Sequence, residues 1–404
     1  MKRNSFAYFQ DIGGKMPVIN RIADFHAEIT AWRRDFHENP EILFDVHRTV
    51  GKVEEILKNI GVDEIKTGIG KTGLVAIING KSNNSGRVIG LRADMDALPI
   101  VEKTNKEYAS KTKGKMHACG HDGHIAMLLG AAKYLCETRN FDGKVALIFQ
   151  PAEEGGGGGD LMVKDGMMED FNIEEVYGMH NFPGVPVGEF AIREGGFLAA
   201  VDEFIIEIEG VGGHAAMPHN TIDPLIAGAH IITGLQSIVS RNVDPIKSAV
   251  LSVTVMKAGE ATNVISRTAT IKGTVRTLDE GVREMMEKRV CDFVPNCAKA
   301  FGVKAKVIYD NGYPVMSNHP KQTIFAGDVA SKIVGEKRVM RDVPPIMGGE
   351  DFAYMLNARP GAFIAIGQGD TAGLHEDTYD FNDEIIPLGC SYWVKLVESA
   401  LPIE

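Results

Sequence analysis

The side chains best suited to chemistry are concentrated in residues 116–124, which read MHACGHDGH. This stretch holds three histidines, a cysteine and an aspartate, all of which are residue types that bind divalent metals. Cys119 and His121 are one residue apart, so a turn at the intervening glycine can direct both at one ion. A thiolate with an imidazole suits zinc-like metals. A lone histidine here would more often be a polar loop residue, but the whole cluster predicts a metal site.

Matching ligands follow several apolar runs that have the character of buried strands. They are Asp94 and Asp96 shortly after 88–91, Glu153 and Glu154 after 144–149, His180 after 176–179, and His375 beyond 362–366. Sites in open α/β sheets are built at the carboxyl ends of strands, so we expect these groups to meet. One of the adjacent glutamates can bind metal while the other acts on water as a general base. Together with Cys119 and His121, one glutamate and the two histidines supply enough ligands for two metals that share a bridging ligand.

The elements that position these residues can be predicted from apolar periodicity. Helices are predicted over 18–38, 49–59 and 125–136, and strands over 74–78, 88–91, 144–149, 176–179 and 362–366. A continuous apolar run such as 144–149 is typical of a parallel strand that is covered on both faces. Alternating helices and strands of this kind predict an α/β domain.

The pattern changes between residues 198 and 311, where no rich cluster of ligands occurs. Strands are predicted at 201–209, 249–257, 268–278 and 303–309, with helices at 222–239 and 279–301. This β-α-β-β-α-β order is the ferredoxin-like arrangement. We therefore predict a catalytic α/β domain at 16–197 and 312–404, an inserted ferredoxin-like α+β domain at 198–311, and an N-terminal tail at 1–15 that shows no clear periodicity.

Composition sets limits on size and partners. A chain of 404 residues with 44% hydrophobic and 24% charged residues is ordinary for a globular protein of two domains. The formal net charge of −11 argues against a nucleic-acid partner, which would need a basic surface. An anionic substrate would need a local cationic clamp, because the overall field repels it.

Cysteine usage and hydropathy bear on location. The five cysteines are odd in number and scattered, which gives no disulfide framework and fits a reducing cytoplasm. The N-terminal residues lack the apolar run of a signal peptide, and no stretch approaches the roughly 20 apolar residues of a membrane span. We therefore expect a cytoplasmic protein with no membrane partner.

Seven motifs together carry a resemblance to a known family. They are RADMDALP, MHACGHDGH, QPAEEG, GMHN, GGHAAMPH, GGEDFAYM and LHEDTYDFND, and they span residues 92–383. In this order they resemble the aminoacylase/hippurate-hydrolase branch of the M20 metallopeptidases. That branch includes amidohydrolases of N-acyl and indoleacetyl amino acids. The resemblance implies a mixed-sheet catalytic domain and an inserted domain that serves in dimerisation or as a lid.

The resemblance also implies two divalent metal ions per subunit, either zinc or manganese, with cobalt or nickel as further options. By position, Cys119 would bridge the two ions. His121 and His180 would complete one metal site, and Glu154 and His375 the other.

Further roles follow from the same resemblance. Glu153 matches the general base, and Asp96 matches an acidic residue that orients a metal ligand. In the inserted domain, His214 matches a histidine that reaches a partner subunit's active site and stabilises the oxyanion, which implies a homodimer or homotetramer. Asn263 and Arg276 match residues that hold the substrate's carboxylate, with a strand arginine facing solvent as a competing interpretation of Arg276.

The remaining polar residues of the first motif are His117, Asp122 and His124. They match no direct ligand of the family, and we expect them to support the loop by hydrogen bonding. The predicted function is metal-dependent cleavage of N-acyl amino acids, such as hippurate-like, N-acetyl or indoleacetyl conjugates. Three alternatives stay open: a dipeptidase or specific metabolite deacetylase on the same scaffold, a non-catalytic metal- or ligand-binding protein, and a redox protein built around Cys119.

Overall fold

The computed structural model describes residues 17–403, and the predicted tail at 1–15 lies outside the described residues. The chain divides into two compact units. The first comprises the described part of Met1–Gly195, Ser317–Pro344 and the described part of Asp351–Glu404. The second comprises Gly196–Met316 and Pro345–Glu350.

The helices and strands are numbered in chain order. The helices are α1 Asn20–Glu38, α2 His47–Ile60, α3 His121–Thr138, α4 Gly158–Lys164, α5 Met167–Asp170, α6 Pro224–Asn242, α7 Glu280–Ala300, α8 Pro320–Val334, α9 Phe352–Ala358 and α10 Ile386–Ala400. The strands are β1 Glu64–Ile69, β2 Gly73–Asn79, β3 Val88–Asp94, β4 Lys144–Gln150, β5 Glu175–Pro183, β6 Phe190–Ala191, β7 Gly195–Leu198, β8 Ala200–Glu209, β9 Gly213–His214, β10 Ala249–Ala258, β11 Val264–Ile265, β12 Thr268–Thr277, β13 Lys304–Asn311, β14 Met316–Asn318, β15 Val339–Met340 and β16 Gly361–Gly369.

The first unit is built on an eight-stranded mixed sheet in the order β1-β2-β4-β3-β5-β16-β6-β15. The central pairs β4-β3, β3-β5 and β5-β16 are parallel, whereas β1-β2 and β2-β4 are antiparallel. Every residue of β3 is buried, as expected for a strand covered on both faces. Helix α3 packs against α1, α2 and α10 within the same core. The predicted α/β class with a mixed sheet is confirmed.

Two element boundaries differ from the prediction in a way that matters for chemistry. Helix α3 begins at His121 rather than at 125, because Gly120 adopts a left-handed φ of 95° and turns the chain into the helix. Four of the nine residues of the 116–124 motif, 121–124, therefore form the first turn of a helix and not a loop. Strand β5 continues to Pro183, so His180 lies inside the strand instead of after its end.

The second unit has the predicted ferredoxin-like order β8-α6-β10-β12-α7-β13. Its sheet runs β10-β12-β8-β13 with antiparallel pairing throughout. Both helices begin at an aspartate cap: Asp223 accepts a hydrogen bond from the N–H of Leu225, and Asp279 from that of Val282.

Across residues 17–403, no helix combines the length and the apolar character needed to cross a bilayer.

Candidate metal centre

The parallel strands bring the polar residues to one edge of the sheet. Asp94 ends β3 and pairs in register with Gln150, which ends β4, so Asp96 and Glu153 leave the sheet side by side. On the next pair, His180 of β5 lies beside Ala365 of β16. The edge that the sequence predicts is therefore where these groups converge.

Two histidines have one ring nitrogen occupied and the other available. The Nδ1 of His121 donates to the backbone carbonyl of Asp96 at 2.8 Å, and the Nδ1 of His180 donates to that of Asn181 at 2.7 Å. When the ring is neutral, each Nε2 carries a lone pair, which is the arrangement found in metal-binding histidines. The Nε2 of His180 lies 3.4 Å from the sulfur of Cys119.

The glutamate pair is held by Asp96. One carboxylate oxygen of Asp96 accepts from the N–H of Glu153 at 2.9 Å, and the other accepts from the N–H of Glu154 at 3.1 Å. Because the same residue also accepts from His121, it fixes three candidate groups at once. Ala152 just before the pair has a φ of 55°, which turns the chain sharply after β4.

His375 reaches the cluster from a loop. Its Nε2 lies 3.2 Å from Oε1 of Glu154, which in turn lies 4.0 Å from Nε2 of His121. The residue adopts a left-handed φ of 65°, and its N–H donates to the carbonyl of Ala118 at 2.8 Å. The side chain is 52% exposed, so His375 is the most accessible of the predicted ligands.

The donor set fits divalent cations. Ligand atoms lie within 4.8 Å of one another in each of three groups: Cys119, Glu154 and His375; His121, Glu153 and Glu154; and Asp94, His121, His124 and His180. Within residues 17–403, His121 Nε2 and Glu154 Oε1 are buried and lack a partner in hydrogen-bond geometry, although Oε1 lies 3.2 Å from His375 Nε2. Buried polar atoms without partners are costly, and a shared cation would satisfy both.

The charged groups around the site also favour the binding of cations. Burial opposes a charge on His121, but Asp94 and Asp96 outweigh it and raise the pKa of His121 to about 10. Burial, reinforced by Glu154 and Glu153, raises the pKa of the Cys119 thiol well above its usual value. The site therefore has a negative potential that favours cations, and a coordinated metal would ionise the thiol.

The remaining motif residues differ in role. His124 is bonded on both ring nitrogens, to Asp94 at 2.5 Å and to the side chain of Asn181 at 2.7 Å, which fits the expected supporting role. Asp122 binds His37 on α1. For His117 the expectation of hydrogen bonding is wrong: the ring is buried, and neither nitrogen has a partner in the described part of the chain.

One residue that supports the site, Arg92, was not predicted. Arg92 is buried in the middle of β3, and its guanidinium donates to Asp94 at 2.7 Å, to Asp351 at 3.1 Å and to Gln150 at 2.8 Å. It thereby neutralises the carboxylate that holds His124. An arginine inside a strand that is otherwise apolar is the sequence signal for such a role, because a buried charge needs partners.

Three predicted site residues lie in the second unit. His214 of β9 and Asn263 are exposed neighbours, since the N–H of Ala215 donates to the carbonyl of Asn263 at 3.0 Å. Arg276 lies on β12 in the four-stranded sheet, where partial burial lowers the pKa of its guanidinium. Its Nη1 donates to the carbonyl of Val275 at 3.0 Å.

Comparison with known proteins gives concordant matches over nearly the whole chain. Residues 90–399 match peptidase family M20/M25/M40. The chain is 42% identical to hippurate hydrolase of Campylobacter jejuni, covering 94% of this chain and 98% of that one. It is also 42% identical to N-acetyl-L-cysteine deacetylase of Bacillus subtilis, covering 94% and 89%. Among solved structures, a dinuclear metal-binding peptidase of family M20 from Bacillus subtilis superposes with a TM-score of 0.81 at 33% identity, covering 94% of this chain and 99% of that one.

Proposed function

The chain belongs to peptidase family M20/M25/M40, and from this premise we propose that it is a metal-dependent amidohydrolase that cleaves N-acyl amino acids to a carboxylic acid and an amino acid. The observation that carries the proposal is the buried convergence of Cys119, His121, Glu154 and His180 with His375. The names of the two relatives, a hippurate hydrolase and an N-acetylcysteine deacetylase, both describe hydrolysis of an acylated amino acid.

The ligand set accommodates two divalent ions. His121 and His180 would hold one ion, Glu154 and His375 would hold the other, and Cys119 would be shared between them. Zinc is the ion that a thiolate with imidazoles favours, and manganese, cobalt or nickel remain compatible with the carboxylate. When bound, the two ions polarise the substrate carbonyl and lower the pKa of the attacking water.

The protein's own groups move the proton. Glu153 is only 7% exposed, and Asp96 fixes its backbone, so its carboxylate has a defined position beside Glu154 and His121. We assign Glu153 to accept the proton of the attacking water and to return it to the leaving nitrogen. Asp96 orients the glutamate pair and His121 and does not itself take part in proton transfer.

Substrate contacts rest on the resemblance of the motifs. His214 is proposed to stabilise the oxyanion, and Asn263 and Arg276 to bind the substrate's carboxylate. Arg276 can supply the cationic clamp that a chain of net charge −11 requires. The role of His214 requires an assembly of subunits, for which a homodimer or homotetramer is the proposal. Five free cysteines are compatible with the proposed cytoplasmic location.

The thiol-redox alternative is disfavoured by the environment of Cys119. Reactive cysteines have a lowered pKa and partial exposure. Here the thiol is 7% exposed and burial raises its pKa. A metal-free redox role at this position would therefore lack the thiolate it needs.

The proposal is tested by hydrolysis of a substrate panel: N-benzoylglycine, several N-acetyl amino acids, an indoleacetyl amino acid and a dipeptide with a free amine. We expect release of amino acid from the acylated compounds, loss of release with chelator, and recovery when a divalent metal is restored. Cleavage of the dipeptide alone would favour the dipeptidase alternative. Protein that carries two ions and cleaves none of the acylated compounds would contradict the proposal.

A further inference from the structure

A buried ionic cluster lies next to the metal centre without contributing a ligand to it. Its hub is Arg33 of α1, whose side chain is fully buried. The guanidinium binds Asp383 at 2.8 and 3.1 Å, Asp122 at 3.3 Å and Asp380 at 3.5 Å. One arginine of α1 therefore contacts carboxylates on two separate segments, the first turn of α3 and residues 380–383.

These two segments also carry predicted metal ligands. Asp122 directly follows His121 in the first turn of α3. Asp380 and Asp383 end the segment that begins at His375. Arg33 therefore links the start of α3, next to His121, to the segment that follows His375.

The contact between the two segments leaves no spare room. A Cβ atom built on Gly120 would lie 2.6 Å from the hydroxyl of Tyr379, and one built on Gly123 would lie 2.2 Å from the ring of Phe381. Both aromatic side chains belong to the segment that follows His375. Tyr379 and Phe381 therefore pack directly against Gly120 and Gly123 at the start of α3. No gap between the segment and the helix is available to absorb a displacement.

The other predicted ligands are held by different means. His180 lies within β5, which is hydrogen-bonded to β16, and its ring is anchored on the carbonyl of Asn181. Glu154 is held through its backbone by Asp96. His375 lies in a loop and its side chain is half-exposed, so its position depends on one backbone hydrogen bond to Ala118 and on the packing of its own segment.

We propose that Arg33 is a positioning residue that sets the place of His375 against His121, and so controls the affinity for the ion bound by Glu154 and His375 more than for the ion bound by His180. The inference rests on the proposed two-metal function. Without the guanidinium each aspartate keeps another partner, His37, Lys106 or Arg34, but the start of α3 and the segment after His375 lose the buried cation that they share.

The test is zinc content of the full chain after dialysis against graded chelator, with circular dichroism as a check of folding. Arg33→Met removes the charge while keeping much of the volume, and Arg33→Lys keeps the charge but loses the bidentate fork. Arg34→Met is the matched control, because Arg34 binds the same Asp383 oxygen at 2.9 Å but is 45% exposed. We expect the control and the unaltered protein to retain two ions. In Arg33→Met the affinity for one ion should fall by about 10- to 100-fold, as for other residues that support a metal ligand, with a smaller fall in Arg33→Lys.

A double variant identifies which ion is affected. Arg33→Met combined with His375→Ala should bind the remaining ion as tightly as His375→Ala alone, because both changes act on the same site. Equal loss of both ions from folded Arg33→Met, unchanged affinities, or the same loss in Arg34→Met would overturn the proposal. If Arg33→Met does not fold, the same comparisons made with Arg33→Lys decide it. Failure of the unaltered protein to bind a second ion would instead contradict the proposed function.

Discussion

His37 on α1 offers a pH-dependent test of the buried charges around the first turn of α3. Its ring is fully buried, with Nδ1 2.8 Å from Asp122 and Nε2 3.2 Å from Glu102. Burial opposes the charged ring, but the hydrogen bonds to the two carboxylates outweigh it and raise the pKa of His37 to about 9, from a usual value of 6.5. The folded protein therefore holds His37 as a cation at neutral pH.

The size and direction of the effect follow from linkage. A shift from 6.5 to about 9 at 1.36 kcal/mol per unit corresponds to about 3 kcal/mol of stability. Because the folded-state pKa is raised, this contribution is fully present below about pH 6.5 and is lost as the pH rises through about 9. The variant His37→Gln has no such titration. The difference in unfolding free energy between the unaltered protein and His37→Gln should shrink by about 3 kcal/mol from pH 6 to pH 10.

The assay is denaturant unfolding at several pH values, with chelator present so that metal binding does not contribute. His47→Gln is the control, since His47 is 75% exposed and its loss should leave the unfolding curve nearly unchanged. A difference between the unaltered protein and His37→Gln that stays flat over this range would refute the reasoning, because it would mean that the ring is neutral in the folded state. A difference that grows with pH would refute it as well.

Other expectations concern the centre and its packing. Cys119→Ala should lose metal, measured as ions per chain after dialysis, and full occupancy would rule out Cys119 as the bridge. Gly123→Ala should destabilise the protein by about 1–3 kcal/mol, because its methyl group would lie 2.2 Å from the buried ring of Phe381. Gly51→Ala should instead stabilise it by about 0.5–1 kcal/mol, since Gly51 lies in α2 with nothing within 4 Å of a new methyl group. Denaturant unfolding measures both variants, and a change in unfolding free energy of the same sign in the two would contradict these expectations.

The parts of the fold that the sequence predicts best are buried or strongly periodic. The run at 144–149 is apolar throughout and forms β4, which is flanked by strands on both sides. Strand β1 was missed because it is an edge strand whose residues are mostly exposed, so it lacks an apolar signal. The start of α3 was missed for a related reason. His121 and Asp122 are buried but polar, so the first turn of the helix does not show the apolar periodicity from which helices are predicted.

The residues of the candidate site also differ in how well the sequence predicts them. Residue types and motifs single out Cys119, His121 and Glu154 in a single sequence, because few other roles need that combination. The groups that hold them are less visible. Arg92 and Asp351 are 259 positions apart, and no local pattern pairs them. Such pairings depend on the tertiary fold, which periodicity does not specify at the level of individual side chains.

The central claim is that Glu153 acts as a base beside a two-metal site that other residues hold. The most direct test measures metal content and amino-acid release on the same preparations of the unaltered protein and Glu153→Gln, with the exposed Glu107→Gln as control. If Glu153 is the base, we expect two ions per chain in all three proteins and a fall in kcat of about 10²- to 10⁴-fold in Glu153→Gln alone. Near-normal kcat in Glu153→Gln with both ions bound would contradict it.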